Sequence, residues 1–194
     1  MRHIIKSQQF DKAFIRKIFS IADKLEKKTD NSLRGKIMAS IFYEPSTRTR
    51  LSFESAMLKL GGSVITTENA KEFSSAIKGE TLEDSIKVIS SYADVIVLRH
   101  YENGASERAV KVSRIPIVNA GDGSGQHPTQ ALLDLYTIKR ELGRINRVII
   151  ALVGDLKHGR TIRSLAYLLG KYEKIKIYFV SPKALKVGED IKNY

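Results

Sequence analysis

The sequence predicts an α/β protein: a doubly wound parallel sheet in its first part and the start of a second α/β domain in its last part. Short apolar runs alternate with segments of helical period along the whole chain. One run, 94–98, is almost continuously β-branched and apolar, as central parallel strands are. After residue 143 the strand, loop, helix, strand pattern occurs only once. We therefore expect one complete parallel sheet and one incomplete one.

The elements up to residue 79 follow from apolar periodicity. A covering helix is predicted over 11–28, and a buried strand over 36–42. A helix then begins near residue 47 and stops at Gly61-Gly62, before a short strand over 63–67. The polar stretch 68–79 has no periodicity and predicts a long loop, a kind of segment that often carries function.

The same alternation continues to the end of the chain. We predict a helix over 82–93, the central strand over 94–98, a short helix over 102–112 and a strand over 115–118. A glycine-rich loop, 119–126, leads into a helix over 128–142. The final elements are a strand over 148–153, a polar loop over 154–160, a helix over 162–169 and a strand over 175–180.

Gly143 marks the predicted domain boundary, because glycine commonly terminates a helix. The first domain covers 1–142 and includes the linking helix 128–142. The second covers 143–194 and is partial, since two strands are too few for a stable sheet alone.

Composition limits the class of protein. The 194 residues are 42% hydrophobic, which is ample for a packed core. The sequence contains no cysteine, and its four histidines have no metal-ligand spacing, so we expect no metal and no cofactor. Nothing resembles a signal peptide or a membrane span, which predicts a cytoplasmic protein without a membrane partner.

The net charge of +12 raises the question of nucleic acid. Basic residues are mostly interleaved with acidic ones, and no basic aromatic ribbon or helix-turn-helix pattern is present. A cationic surface that favours small anionic substrates is the simpler interpretation, with nucleic-acid binding as an alternative that a salt titration would test.

The stretch 43–50, Tyr-Glu-Pro-Ser-Thr-Arg-Thr-Arg, follows the first predicted strand and begins a helix. Helix N-termini present unpaired N–H groups that attract anions, and the planar guanidinium group of arginine can donate two parallel hydrogen bonds to the oxygens of an anion. We interpret the stretch as an anion site, although an ordinary helix cap with two solvated arginines remains the alternative.

Further polar clusters follow the later strands, and the carboxyl ends of parallel strands share one edge of a sheet. Taken singly, Arg99 could be a surface cation, His127 a helix cap and Arg160 a helix-start arginine. Together they predict a site with donors and no nucleophile, since neither a cysteine nor a G-x-S-x-G elbow is present. Such a site suits group transfer from an activated, phosphate-bearing donor by positioning and electrostatics.

These motifs resemble the transcarbamoylase family. The sequences that carry the resemblance are S-T-R-T-R at 46–50, K-G-E-T at 78–81, R-H at 99–100, N-A-G-D-G at 119–123, H-P-T-Q at 127–130 and G-D-L-K-H-G-R-T at 154–161. The resemblance extends over essentially all of the chain, and its motifs favour aspartate over ornithine as the acceptor.

The resemblance implies a reaction and a role for each matching residue. Carbamoyl transfer from carbamoyl phosphate to the amino group of L-aspartate would give N-carbamoyl-L-aspartate and phosphate for pyrimidine biosynthesis. Ser46, Thr47, Arg48 and Thr49 would hold the phosphate, Thr49, Arg99 and His127 would polarise the carbonyl, Gln130 would hold the amino group, and Arg160 would bind a carboxylate of aspartate.

The resemblance also implies a homotrimer, in which Ser74 and Lys78 reach a neighbouring subunit's site, and allows a regulatory chain. Family chains are longer, and their additional part completes the aspartate side. We therefore expect carbamoyl phosphate contacts in the 194-residue chain but severely impaired turnover. A non-catalytic phosphate-binding or assembly module of the same fold is the alternative.

Overall fold

The computed structural model describes residues 3–28, 30–67 and 79–194. Its strands form two parallel sheets, in confirmation of the predicted α/β class. The first sheet has the order β2-β1-β3-β4, and the second pairs β5 with β6. The strands are β1 (Ile37–Phe42), β2 (Ser63–Thr67), β3 (Val95–His100), β4 (Ile117–Asp122), β5 (Ile149–Val153) and β6 (Lys176–Val180).

Seven α-helices connect and cover these strands in the part of the chain that the structure describes. They are α1 (Lys12–Lys27), α2 (Thr47–Lys59), α3 (Leu82–Ile89), α4 (Ala105–Val112), α5 (Pro128–Leu142), α6 (Arg160–Leu169) and α7 (Glu189–Lys192). Short 3-10 helices lie at Ser7–Gln9 and Lys183–Leu185. None of these helices is long and apolar enough to cross a membrane.

The first sheet buries both faces. On one face Ile41 and Ile96 pack with Ile86 of α3 and Ala109 of α4. On the other, the neighbouring strand positions pack against Met57 of α2. Side chains alternate across a strand, so a strand covered on both sides is apolar nearly throughout. β3 lies inside the sheet between β1 and β4, as its composition predicted.

A second cluster of buried side chains joins the N-terminal helix to the second sheet. Ile15 and Phe19 of α1 contact a group that includes Leu135 of α5, Leu168 of α6 and Leu152 of β5. α5 ends at Gly143, whose φ of +67° suits glycine. The domain boundary there stays a prediction, since this cluster contains residues from both sides of it.

The prediction for β4 was wrong in its extent. The strand continues through Asn119 to Asp122, residues that the composition assigned to a loop. The glycines in this stretch predicted a loop, but pairing with distant segments holds it as a strand. β4 pairs with β3 up to His100 and Asp122, and on its other edge Val118 pairs with Ile4. The last two helices, Lys183–Leu185 and Glu189–Lys192, were not predicted.

The second sheet has one exposed apolar face. Ile149 and Val153 of β5 are 69% and 67% exposed, and Tyr178 and Val180 of β6 are 47% and 50% exposed. Parallel sheets usually bury both faces. Here α6 covers one face only.

Candidate active site

A cavity of about 1250 Å³ lies at the carboxyl end of the first sheet. Four segments surround it: the start of α2, the end of β3, the start of α5 and the start of α6. It is lined by the predicted residues Ser46, Thr47, Arg48, Thr49, Arg99, His127, Gln130 and Arg160. The remaining two, Ser74 and Lys78, lie outside the described residues, as does the predicted loop up to residue 78.

The N-terminus of α2 opens into this cavity. Ser46 occupies the N-cap position, yet its side chain makes no capping hydrogen bond. The first intrahelical bond runs from Arg50 N to Ser46 O (3.0 Å), which leaves the amides of the three residues before Arg50 directed past the helix end. The hydroxyl and these N–H groups are therefore placed to donate hydrogen bonds to an anion.

Arg99 and Arg160 meet at one carboxylate, that of Glu44. Its Oε1 atom lies 2.7 Å from Nη2 of Arg99 and 2.6 Å from Nη2 of Arg160. Burial lowers the pKa of Arg99, and the nearby Arg160 lowers it further, whereas Glu44 opposes both effects. The acid thus offsets the repulsion of two cations that face the same cavity.

The sequence reasoning did not select Glu44. Its position could have drawn attention to it, because Glu44 stands between the end of β1 and Pro45, on the same edge as the predicted arginines.

Arg160 is also held by the loop after β4. Its Nη1 donates to Gly123 O at 2.8 Å. Gly121 has a φ of +116°, and a Cβ there would lie 3.1 Å from the Arg160 guanidinium carbon. A side chain at residue 121 would therefore strain the backbone and push the arginine aside. In the predicted N-A-G-D-G motif, Gly121 leaves room for the Arg160 guanidinium and the backbone carbonyl of Gly123 binds it.

His127 is the buried N-cap of α5. Its backbone N–H donates to Ser164 Oγ (2.8 Å), and that hydroxyl donates to Arg160 O (2.8 Å). Its Nδ1 accepts from Gln130 N (3.4 Å). Burial, Arg160 and Arg99 lower the pKa of His127 to about 3. The imidazole is therefore neutral near pH 7, and because Nδ1 accepts, Nε2 carries the proton.

Gln130 and Asp134 form a pair on α5. The Gln130 Nε2 donates to Asp134 Oδ1 at 2.8 Å. Burial raises the pKa of Asp134, and the hydrogen bond from Gln130 opposes that rise. Asp134 lines the cavity and was not predicted as a site residue, since an acid on a helix carries no distinguishing signal in a single sequence.

A model of the aspartate/ornithine carbamoyltransferase family, described as its carbamoyl-P binding domain, matches residues 2–140. The chain belongs to this family. The resemblance inferred from the motifs is thereby confirmed. Within the described ranges, no group of three or more His, Asp or Glu side chains is arranged to hold a metal ion.

Relatives in the carbamoyltransferase family match nearly the whole chain. Aspartate carbamoyltransferase 3, chloroplastic, of Pisum sativum is 61% identical over 98% of this chain and 50% of its own length. The aspartate carbamoyltransferase catalytic subunit of Methanocaldococcus jannaschii is 56% identical over 98% of this chain and 64% of its own. The chain thus spans from half to just under two thirds of these two relatives.

Solved structures agree with the fold. Aspartate transcarbamoylase of Trypanosoma cruzi, in complex with carbamoyl phosphate and aspartate, superposes with a TM-score of 0.95 at 44% identity, covering 99% of this chain and 62% of that one. The M. jannaschii catalytic subunit gives 0.91 at 55% identity, covering 100% and 64%.

The prediction of a cytoplasmic protein is wrong in the light of these relatives. The plant proteins at 57–61% identity, from Pisum sativum, Arabidopsis thaliana and Oryza sativa, are all named chloroplastic. Because these relatives carry a location other than the cytoplasm in their names, the prediction of a cytoplasmic location is withdrawn.

Proposed function

We propose that the chain binds carbamoyl phosphate in this cavity and forms the donor half of an aspartate carbamoyltransferase. The enzyme would transfer the carbamoyl group to the amino group of L-aspartate and release phosphate, a step of pyrimidine biosynthesis. The observation that carries the proposal is the convergence of an anion-binding helix start, two arginines and a neutral buried histidine on one cavity.

The start of α2 would bind the phosphate. The hydroxyls and backbone N–H groups of Ser46, Thr47 and Thr49 supply donors, and Arg48 supplies an exposed positive charge that lines the cavity. Arg48 is exposed, so a ligand can reach it without displacing a buried ion pair. Arg99, behind this helix start, would bridge the phosphate to the carbonyl oxygen.

His127, Arg99 and Thr49 would polarise the carbonyl. Negative charge develops on the carbonyl oxygen when an amine attacks, and fixed donors in a dry site stabilise that charge. His127 suits this role because it is neutral with its proton on Nε2, so it can donate without a prior proton transfer. Gln130 would hold the carbamoyl amino group.

Arg160 would bind a carboxylate of aspartate and so direct the amine to the carbonyl carbon. The amine forms the new C–N bond, the C–O bond to phosphate breaks, and phosphate leaves with the electron pair and takes up the proton that the amine loses. Glu44 forms an ion pair with the Arg160 guanidinium, so aspartate would compete with an internal carboxylate.

Assembly is part of the proposal. We propose a homotrimer in which Ser74 and Lys78 complete a neighbour's site and which can associate with a regulatory chain. The family relationship and the relatives named as catalytic subunits support this. Sedimentation should then give three times the monomer mass of 21.8 kDa, and a single monomeric species would refute the trimer.

The decisive experiment combines binding with turnover. Calorimetry of the chain with carbamoyl phosphate should give a one-site isotherm, and a colorimetric assay with L-aspartate should detect N-carbamoyl-L-aspartate. Product formed only with ornithine would contradict the acceptor, and absence of binding would contradict the site. Binding without turnover would favour a non-catalytic module.

A further inference from the structure

Gln130 and Asp134 lie one helical turn apart on α5, and both line the cavity. Their contact joins Gln130 Nε2 to Asp134 Oδ1 at 2.8 Å. The backbone of Gln130 is fixed as well, because its N–H donates to His127 Nδ1. Two hydrogen bonds from groups of the chain therefore hold this glutamine.

The chemistry of Asp134 decides which end of the Gln130 amide faces the ligand. An ionised carboxylate only accepts hydrogen bonds, whereas a carboxamide has a donor end and an acceptor end. The NH₂ group of Gln130, whose Nε2 lies 2.8 Å from Asp134 Oδ1, therefore faces Asp134. Its Oε1 receives no hydrogen bond from the described residues and is left to accept one from the ligand.

A fixed acceptor discriminates between donor substrates. A carbamoyl group offers N–H donors at this position, while an acetyl group offers a methyl and a malonyl-type acid offers a second acceptor. A site built to receive an N–H rejects analogues that lack it, because its polar group is then left unpaired. An amide that could rotate would accept either kind of group.

On the basis of the proposed function, we infer that Asp134 is a positioning residue that makes the site selective for amide-bearing phosphate donors, by fixing Gln130 with its oxygen toward the ligand. Asp134 acts through Gln130 and does not itself bind the substrate. A carboxylate is required for this, since asparagine at the same place could rotate together with Gln130.

The test uses two stable phosphonates that differ at one group. Phosphonoacetamide carries the amide, and 2-oxopropylphosphonate carries a methyl in place of the amino group. Calorimetry of the wild-type chain should show about tenfold tighter binding of the amide. Asp134→Leu should reduce this ratio to near one, and Asp134→Asn should reduce it at least in part.

A double-variant cycle separates positioning from direct contact. Gln130→Leu should also bring the ratio near one, and adding Asp134→Leu to it should change nothing further. Asp84→Asn, an exposed carboxylate on α3, is the matched control and should keep the wild-type ratio. Thermal melting of each variant checks that it is folded before its ratio is used.

The outcomes distinguish the two levels of the proposal. If both phosphonates bind and Asp134→Leu keeps the wild-type ratio, the role of Asp134 is refuted while the phosphate site stands. The positioning role of Asp134 is also refuted if the double variant Gln130→Leu, Asp134→Leu has a lower ratio than Gln130→Leu alone. If the wild-type chain binds neither phosphonate, the proposed function fails and the inference fails with it.

Discussion

Glu44 Oε1 accepts a hydrogen bond from Arg160 Nη2 at 2.6 Å, although 116 residues separate the two. Glu44 follows the first strand of the first sheet, and Arg160 begins the helix that follows β5 in the second. The same oxygen holds Arg99, so one carboxylate orients two arginines that line the cavity. All three side chains are largely buried: Glu44 is 26% exposed, Arg160 17% and Arg99 13%.

Glu44→Gln should destabilise the chain. The substitution leaves two close guanidiniums without a neutralising charge in a mostly desolvated place, and we expect a loss of about 1–3 kcal/mol in the free energy of unfolding. Urea denaturation measures it. Glu107→Gln, which breaks the exposed pair with Lys6, is the control and should cost less than about 0.5 kcal/mol. Equal effects of the two variants would contradict the role given to Glu44.

Arg48→Ala should weaken phosphate binding without weakening the fold. Arg48 is exposed on the first turn of α2 and lines the cavity. Its removal deprives a bound phosphate of a charge-assisted hydrogen bond, whereas the folded chain loses few packing contacts. We expect about 10- to 100-fold weaker binding of inorganic phosphate by calorimetry. Arg114→Ala, before β4 and so at the opposite end of the sheet, should bind phosphate as the wild type does.

His127 should make stability depend on pH below neutrality. The pKa of His127 is about 3 in the folded chain and about 6.5 in the unfolded chain. Between these two pH values the unfolded chain carries a proton on His127 and the folded chain does not. Stability is then fully present above about pH 6.5 and is lost as the pH falls toward 3. From pH 7 to pH 5 this histidine alone should cost up to about 2 kcal/mol.

His127→Asn isolates that contribution. Asparagine is a good N-cap, so the variant can keep the start of α5, and it has no group that titrates in this range. Burial also lowers the pKa of His100, but His100 is present in both the wild type and the variant and so affects the pH dependence of their stability equally. Urea denaturation at pH 7 and pH 5 should therefore show a smaller loss in the variant. An NMR titration with a His127 midpoint near 6.5 would contradict the burial argument.

Ser164→Ala should destabilise the contact between the starts of α5 and α6. The buried hydroxyl accepts from His127 N and donates to Arg160 O, so its removal leaves a buried N–H without its partner. We expect a loss of about 1–3 kcal/mol in denaturation experiments. Thr137→Ala removes an exposed hydroxyl bonded to Leu133 O on α5 and should change stability far less. A small effect of Ser164→Ala would indicate that water replaces the hydroxyl.

The sequence by itself determined the alternation of strands and helices, the central position of β3 and eight of the residues that line the cavity. These follow from local patterns: apolar runs, helical period, and polar clusters placed just after strands. Parallel topology then brings the strand ends to one edge. The family resemblance followed from the same clusters, because each is a contiguous motif.

Only the tertiary structure decided the contacts that fix those residues. Glu44 with Arg160, Ser164 with His127 and the extension of β4 to Asp122 depend on segments far apart in the chain. Asp134 is close to Gln130 in sequence, yet only the folded structure shows that the two side chains pair and that both line the cavity. Local patterns specify which groups a segment carries, whereas desolvation and distance, which set pKa values and hydrogen-bond partners, exist only after packing.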